Sequence, residues 1–346
     1  MEKTKKSRQA GVALILVMWT FAALSVMAAE FARAMREDAR RAGNFERSTR
    51  ARYVGVAAVN EVLLLLSERA GKSRRNRSKD EEGEEEQVGP LDLLAQGDGQ
   101  WVRARILGQP CEVRVSDEGG KLALNAIDRE AVEEIMMNLG YTELEAETVA
   151  DSIADWRDGD DLHRVNGAED QYYESLARPY VAKNGPFDSL EELLLVRGVS
   201  PFVFYGDSEL PGLRDIFSVF HDSKRLNSTT VPVAVMMALS GVEKEEAWGF
   251  SDERAVDGRD VPPALRELLD GGAVSARPSA MRVLTVEARV KERGGRVLGQ
   301  VSTVVKLVGR GEGFQALRWN DVIFSRPGFG DDRGGPDEAG LGQVAG

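Results

Sequence analysis

Carboxylate side chains crowd into one short stretch in the middle of the chain. Between residues 151 and 170 they follow one another with few cations among them: Asp151, Asp155, Asp158, Asp160, Asp161, Glu169 and Asp170. Oxygen ligands gathered on a flexible loop suit Ca²⁺, which takes about six to eight oxygens in adaptable geometry. An acidic loop is also commonly no more than a solvated surface, so composition alone leaves both interpretations open.

Two glycines, Gly159 and Gly167, would let this stretch fold back so that separated carboxylates converge. The spacing is not that of an EF-hand, which needs D-x-D-x-D-G and a distal glutamate. His163 lies within the loop and is either a further ligand or a surface histidine. The aromatic residues after the loop are expected to pack beneath it: Tyr172, Tyr173, Tyr180 and Phe187.

Helices are predicted on both sides of the acidic stretch. Asp128 begins the apolar-periodic run "DREAVEEIMMNLG", and Thr142 with Glu145 forms a capping box for the next helix. A second capping box, Ser189 with Glu192, predicts a helix over "SLEELLLVRGV". The phrases "EEIMMNLGY", "EELLLVRGV" and "VAVMMALSG" share large aliphatic residues followed by glycine, which suggests helix-turn units of a SAM-like or helix-hairpin-helix kind.

Helix-hairpin-helix units often bind DNA, so a membrane-tethered DNA-binding protein is one alternative. Lys and Arg are sparse around these turns, and the chain of 346 residues has a net charge of −12. A DNA-binding surface is normally basic, because it neutralises phosphates. We therefore expect no nucleic-acid partner.

Strands are predicted at two separate places. "WVRARIL" and "CEVRVS" alternate in polarity on either side of Gly108-Gln109-Pro110, as in a hairpin. "MRVLTVEARVK", "RVLGQVSTVVKLVG" and "FQALRWND" predict further strands near the C-terminus. An antiparallel sheet with the helical region inserted in it gives an α+β fold. Cys111, the only cysteine, is expected in its core and can form no intrachain disulfide.

The N-terminus combines a basic leader with a long apolar run. Residues 12 to 29 carry no charge and, as a helix, would rise about 27 Å, close to the thickness of a bilayer core. The lysines before them favour a cytoplasmic N-terminus. An ordinary cleaved signal peptide is the alternative, with "SVMAAE" as its cleavage site. Gly11 lies ahead of the apolar run, however, and helical periodicity continues to about Ala70-Gly71.

This leader, ending in Gly11 before an apolar and then amphipathic helix, resembles the type IV prepilin-like proteins. The resemblance implies cleavage by a prepilin peptidase between Gly11 and Val12 and methylation of the new N-terminus at Val12. The usual glutamate at the fifth mature position is replaced here by Leu16. One branch lacks that acid, the minor pseudopilin K (general secretion pathway protein K) of type II secretion systems. A minor pilin of a type IV pilus is the remaining alternative within this superfamily.

The central region resembles pseudopilin K more specifically, through "DW..GDD", "AED.YY", "Y.AKNGPFDSLEEL.LVRG" and "RLNSTTVPVAVMMALSG". The resemblance implies a pilin-like fold: a long N-terminal transmembrane and amphipathic helix packed on an antiparallel sheet, with a large helical insertion. It also implies a calcium-binding loop, with these candidate ligands: Asp155, Asp158, Asp160, Asp161, Glu169 and Asp170.

The same resemblance implies a place in the cell and a set of partners. The protein would be a single-pass inner-membrane protein with a periplasmic body. It would lie at the tip of a short pseudopilus and contact the minor pseudopilins I, J and H, the major pseudopilin, the prepilin peptidase and membrane lipid. No catalytic motif is present, since the two histidines are far apart and neither a P-loop nor H-E-x-x-H occurs. We predict that the chain is not an enzyme.

These expectations divide the chain into seven parts. They are a leader (1–11), a transmembrane segment (12–29), an amphipathic helix (30–70), a charged linker (71–99), sheet segments (100–120 and 279–326), an inserted helical domain (121–278) and a disordered tail (327–346).

Overall fold

A single helix of 72 residues, α1 (Lys5–Asn76), opens the described part of the chain. The computed structural model describes residues 5–76, 94–256, 275–277, 279–292, 295–308 and 313–322. Within these residues, one helical span at Val12–Glu68 is long and apolar enough to cross a membrane. The helix continues beyond the predicted end at Gly71, because a single glycine costs a helix only about 1 kcal/mol.

The remaining elements follow in chain order after α1. The strands are β1 (Val102–Ile106), β2 (Gln109–Asp117), β3 (Leu122–Ala123), β4 (Phe217–Ser218), β5 (Arg225–Asn227), β6 (Ser275–Arg277), β7 (Val283–Lys291), β8 (Val297–Val308) and β9 (Gly313–Val322). The α-helices are α2 (Arg129–Asn138), α3 (Glu143–Arg157), α4 (Asp170–Glu174), α5 (Pro201–Tyr205), α6 (Leu213–Ile216), α7 (Val233–Ser240) and α8 (Lys244–Val256). Two 3₁₀ helices cover Glu118–Gly120 and Leu190–Leu195.

The chain forms two compact units, one up to Ala51 and one from Arg52 onward. In the first unit, α1 exposes the large apolar side chains of its membrane-length segment, such as Leu16 at 63% and Trp19 at 74%. A helix whose apolar residues point outward in all directions suits lipid rather than water. The second unit holds the end of α1, the sheet and the inserted helices.

Five antiparallel strands form the main sheet, in the order β1-β2-β7-β8-β9. The predicted first hairpin is confirmed, but its turn lies at Leu107 and Gly108, one residue earlier than expected, and β2 already begins at Gln109. Both turn residues have positive φ, 50° and 72°, as a tight two-residue hairpin requires.

The last part of α1 packs on this sheet. Val54, Ala58 and Val62 lie on one buried face of the helix. Gly55 faces Val301 of β8 so closely that a Cβ atom there would lie 3.0 Å from a Val301 methyl carbon. The glycine therefore lets the helix approach the sheet. The antiparallel sheet and the α+β, pilin-like arrangement predicted from the sequence are confirmed.

The helical region is inserted between β2 and β7, which are neighbours in the sheet. Its core contains Met136, Ile153, Tyr173, Leu193 and Val235, all almost fully buried. The sequence-predicted helices over α2, α3 and α7 are present, and the capping box of Thr142 and Glu145 has both of its hydrogen bonds.

The three similar phrases of the sequence, in which glycine follows large aliphatic residues, share a structural feature. Gly140, Gly198 and Gly241 all have positive φ, between 65° and 85°. A left-handed residue ends a helix and turns the chain, which glycine does without steric cost. The predicted helix after Ser189 needs correction, because the structure has a 3₁₀ helix there. Val196 is already extended, so only six residues remain for the helix.

Several expectations fall on residues outside the described ranges. These are most of the charged linker (77–93), the end of the inserted region (257–274), the end of the last sheet segment (323–326) and the tail (327–346).

Candidate cation site in the acidic loop

The candidate site lies where α3 ends and the chain turns back toward α4. Asp151 and Asp155 are four residues apart on α3, so both point to the same side of that helix, and both are buried. The loop after Asp158 crosses this side of the helix and returns to Glu169, the residue before α4. Helix geometry and the loop therefore bring the acidic side chains of both segments together.

Arg164 binds two of the predicted ligands at once. Its guanidinium donates hydrogen bonds to Asp155 Oδ1 and, over 2.7 Å, to Asp158 Oδ2. Its backbone N–H donates to Asp155 Oδ2 over 3.0 Å. The side chain of Asp155 is fully buried, whereas that of Arg164 is 39% exposed, so the guanidinium covers the carboxylate from the solvent side.

Asp151 is held by two donors, from Arg129 Nε (2.6 Å) and the backbone N–H of Asn166 (3.0 Å). This carboxylate therefore fixes the returning loop on α3. Asp151 belongs to the crowded acidic stretch but is not among the predicted ligands, and its partners agree with a structural role.

Glu169 is the unexplained group of the site. It is 4% exposed, and neither of its carboxylate oxygens has a hydrogen-bond partner within the described part of the chain. Asp158 Oδ1 and Asn184 Oδ1 are likewise buried without a donor among these residues. An unpaired buried acceptor costs about 1–3 kcal/mol, and more when it is charged.

The negative charges of the site act on Glu169 together. Burial, and then the charges of Asp155, Asp158, Asp170 and Asp161, raise the pKa of Glu169 to about 7. Burial also raises the pKa of Asp155, although the hydrogen bonds and charge of Arg164 oppose this. Carboxylates that repel one another in a buried place are stabilised by protons or by a bound cation.

The other predicted ligands have backbone or amide partners. Asp160 accepts from the N–H of Leu162 (2.9 Å), and Asp170 accepts from the N–H of Ala182 (2.7 Å). Asp161 accepts from the side-chain amide of Asn184 over 3.4 Å. This contact links the acidic loop to the turn before the 3₁₀ helix Leu190–Leu195.

The side chains of this site suit a hard cation by their chemistry. Their arrangement in the structure, however, does not gather them around one position. Across the described residues, no three His, Cys, Asp or Glu side chains form a group that could hold a metal ion as it stands. The donor set is nevertheless made of carboxylate and amide oxygens, four of which are buried and lack a donor. Calcium prefers oxygen ligands of this kind. Rotation of side chains could gather these ligands around one ion, and within the described part of the chain no donor reaches the four oxygens.

Gly167 is required by the path of the loop. A Cβ atom at this position would lie 1.9 Å from Asp155 Oδ2, whereas a Cβ at Gly159 would meet nothing within 4 Å. Both glycines are predicted to let the loop fold back, and only Gly167 is needed for space.

The aromatic residues pack beneath the loop, as predicted. Tyr173 is fully buried and contacts Trp156 and Tyr180, with ring centroids 5.3 and 5.1 Å apart. Phe187 stacks on Trp156 at 6.4 Å. His163 is exposed, and its Nδ1 lies 2.9 Å from the carbonyl oxygen of Arg164.

Two residues of the site are not predicted by the sequence pattern. Arg164 lies within the acidic stretch. That stretch has few cations overall, so its composition does not indicate a role for this one. The sequence predicts only a turn at Asn184. In the structure its φ is +49° and its Oδ1 is buried, and its side-chain amide donates to Asp161. An asparagine followed by glycine near an acidic loop is the available signal.

The predicted cleavage site lies within α1. Gly11 and Val12 are both helical, and Val12 is 65% exposed. Cleavage and methylation at this position stay predictions.

Comparison with known proteins connects this region to one family. Residues 114–205, which include the whole acidic loop, match the family model described as type II secretion system (T2SS), protein K. The type II secretion system protein K of Aeromonas hydrophila is 29% identical over 204 residues, which cover 56% of this chain and 60% of that protein. The corresponding protein of Pectobacterium carotovorum subsp. carotovorum is 35% identical over 65 residues, covering 19% of this chain and 20% of its own.

The chain thus matches less than two thirds of the length of either relative. Among solved structures, a chain in the crystal structure of the GspK-GspI-GspJ complex from the type 2 secretion system of enterotoxigenic Escherichia coli is similar. Its TM-score is 0.49, with 16% identity over 83% of this chain and 99% of that chain.

Proposed function

We propose that the chain is the minor pseudopilin K of a type II secretion system, because residues 114–205 match the family model for protein K of that system. The observation that carries the proposal is the joining of this domain to a membrane-length helix. The family match covers residues 114–205, and the apolar span at Val12–Glu68 precedes it in the same chain. A pseudopilin needs both, an apolar helix for membrane and filament and a periplasmic body.

The membrane assignment follows from the same helix. We place the chain in the inner membrane as a single-pass protein, with its basic N-terminus in the cytoplasm and its body in the periplasm. The lysines ahead of Val12 support this orientation, because positively charged flanks stay on the cytoplasmic side.

The proposed role is structural rather than catalytic. At the tip of the pseudopilus the protein would contact the minor pseudopilins I, J and H, and it would support pseudopilus assembly and the secretion of folded proteins across the outer membrane. The helical insert between β2 and β7 makes this body bulky, which suits a single copy at one end better than a repeated subunit.

Calcium is the proposed ligand of the acidic loop. Glu169, Asp158 and Asn184 would offer it their unpaired oxygens, with Asp155, Asp161, Asp160 and Asp170 as further candidates. A bound calcium ion supplies positive charge and cross-links the loop to α3 and to the turn at Asn184. This proposal is supported by the four buried oxygens and is independent of the filament role.

A deletion and complementation experiment tests the proposed function. Removal of the gene is expected to leave the secreted proteins in the periplasm, and the full chain should restore their release into the medium. The chain should also co-purify with the minor pseudopilins I and J from detergent extracts. Unchanged secretion after deletion would contradict the proposal. Low-salt binding to duplex DNA that weakens with added salt would favour the DNA-binding alternative.

A further inference from the structure

Arg164 lies where a cation bound to the acidic loop would contact the carboxylates. Its guanidinium bridges Asp155 Oδ1 and Asp158 Oδ2, two carboxylates that belong to the candidate ligand set. Asp158 also carries one of the unpaired buried oxygens. The same carboxylate therefore faces both the arginine and the unsatisfied centre of the site.

We propose that Arg164 is a built-in competitor of the loop cation, which leaves Asp155 and Asp158 when a divalent cation binds. The inference rests on the proposed calcium site and goes beyond it, because it names the residue that sets the affinity. The arginine neutralises part of the acidic cluster when calcium is scarce, and it must be displaced before Asp155 Oδ1 and Asp158 Oδ2 can act as ligands.

The geometry permits this exchange without unfolding the loop. The side chain of Arg164 is 39% exposed, so it can swing into solvent, where an ammonium or guanidinium group is well hydrated. Its backbone N–H stays 3.0 Å from Asp155 Oδ2, so the loop remains attached to α3 after the guanidinium has left. Arg129 and Asn166 hold Asp151 independently of this exchange.

Arg164 does not satisfy all the acceptor oxygens of the site. A cation that contacts more of them would therefore displace it. The guanidinium contacts Asp155 and Asp158, while both oxygens of Glu169 and the Oδ1 of Asn184 stay without a donor within the described residues. A divalent ion carries twice the charge and can accept six or more oxygens. It would satisfy atoms that the arginine does not reach.

Calcium titration of the full chain in detergent tests the proposal. Arg164→Gln is expected to bind calcium more tightly than the wild type, by about threefold to tenfold, because the apparent affinity no longer includes the displacement of an internal cation. Arg178→Gln is the matched control, since Arg178 is an exposed arginine that follows α4 in the chain, and it should leave the affinity unchanged.

A chemical readout follows the arginine itself. Phenylglyoxal reacts with accessible guanidinium groups, and mass spectrometry reports each site. Calcium should accelerate modification of Arg164 and leave that of Arg178 unchanged. Both side-chain hydrogen bonds of Arg164 come from one atom, Nη1. Arg164→Lys, which keeps the charge but replaces the planar guanidinium by a compact ammonium group, should bind calcium with intermediate affinity.

The outcomes separate this inference from the proposals it rests on. Calcium binding by the wild type with equal or weaker binding by Arg164→Gln would overturn the competitor role and leave the calcium site standing. Calcium binding by neither protein would overturn both. Neither result touches the pseudopilin role, which the secretion experiment tests. Tighter binding by Arg164→Gln together with calcium-dependent exposure of Arg164 would support the exchange.

Discussion

The backbone of Gly167 lies directly against the carboxylate of Asp155, so that a Cβ atom would stand 1.9 Å from Oδ2. Asp155 is fully buried and receives the hydrogen bonds of Arg164. This close contact leaves no room for a side chain at position 167 where the returning loop lies against α3.

We therefore predict that Gly167→Ala destabilises the folded body by about 2–4 kcal/mol, because the loop or the carboxylate must move. Gly159→Ala is the control, since its Cβ would meet nothing within 4 Å, and its effect should stay within about 0.5 kcal/mol. Denaturant unfolding of the detergent-solubilised chain measures both variants. Equal stability of the two would show that the loop does not follow this path.

The pH dependence of stability should carry the signature of Glu169. The pKa of this carboxyl is raised from an ordinary 4.5 to about 7 by burial and by its acidic neighbours. Between these values the folded protein binds more protons than the unfolded chain, so the free energy of unfolding should fall as the pH rises through this window.

Glu169→Gln tests that dependence in buffer containing a chelator. The variant should lose part of the decline between pH 4.5 and 7 and should exceed the wild type in stability above pH 7. The raised pKa values of Asp155 and Asp117 act in the same direction, so a residual slope is expected. An unchanged pH profile would mean that Glu169 ionises as freely as in the unfolded chain.

Calcium should offset the destabilising repulsion between the crowded carboxylates. We expect the thermal midpoint of the wild type to rise with calcium and fall with chelator, because a ligand that binds only the folded state stabilises it. Glu169→Gln should remove most of that response, whereas Glu174→Gln, at an exposed carboxylate at the end of α4, should keep it. The double variant Asp160→Ala, Asp161→Ala should weaken it as well. If calcium does not change the thermal midpoint of the wild type, the acidic loop is a solvated surface and not a calcium site.

The sheet is predictable because its strands alternate in polarity. That periodicity places one face of each strand inside, and it is sufficient to locate β2, β7 and β8 along the chain. The single-residue shift of the first turn arises because Pro110 suggests a loop. Proline is tolerated in a strand where its missing N–H is not needed, and Pro110 pairs with Arg105 of β1.

The acidic side chains of the site are visible in the sequence, but their partners are not. Arg129 is distant from Asp151 along the chain, and only the packing of α2 on α3 brings the two side chains together. The Arg164 bridge depends on the loop folding back over α3. The burial of Glu169, likewise, follows from tertiary packing and leaves no trace in local composition.

Processing of the N-terminus gives a further prediction. Cleavage is expected between Gly11 and Val12, where the basic leader meets the apolar helix. N-terminal sequencing of protein extracted from membranes should begin at Val12, in methylated form, and Gly11→Val should accumulate uncleaved protein. A start near Ala29 would indicate an ordinary signal peptide and would contradict the prepilin interpretation.

The most direct test of the central proposal is the composition of isolated pseudopili. Leu16 replaces the acid that pilin-like subunits are thought to use to neutralise the N-terminus of a neighbour, and a carboxylate at membrane depth costs a few kcal/mol without such a partner. Quantitative mass spectrometry should find the chain together with the minor pseudopilins I, J and H, far below the major pseudopilin and near one copy per filament. Absence from the pseudopili, or an amount equal to that of the major subunit, would contradict the assignment as a minor pseudopilin at the tip.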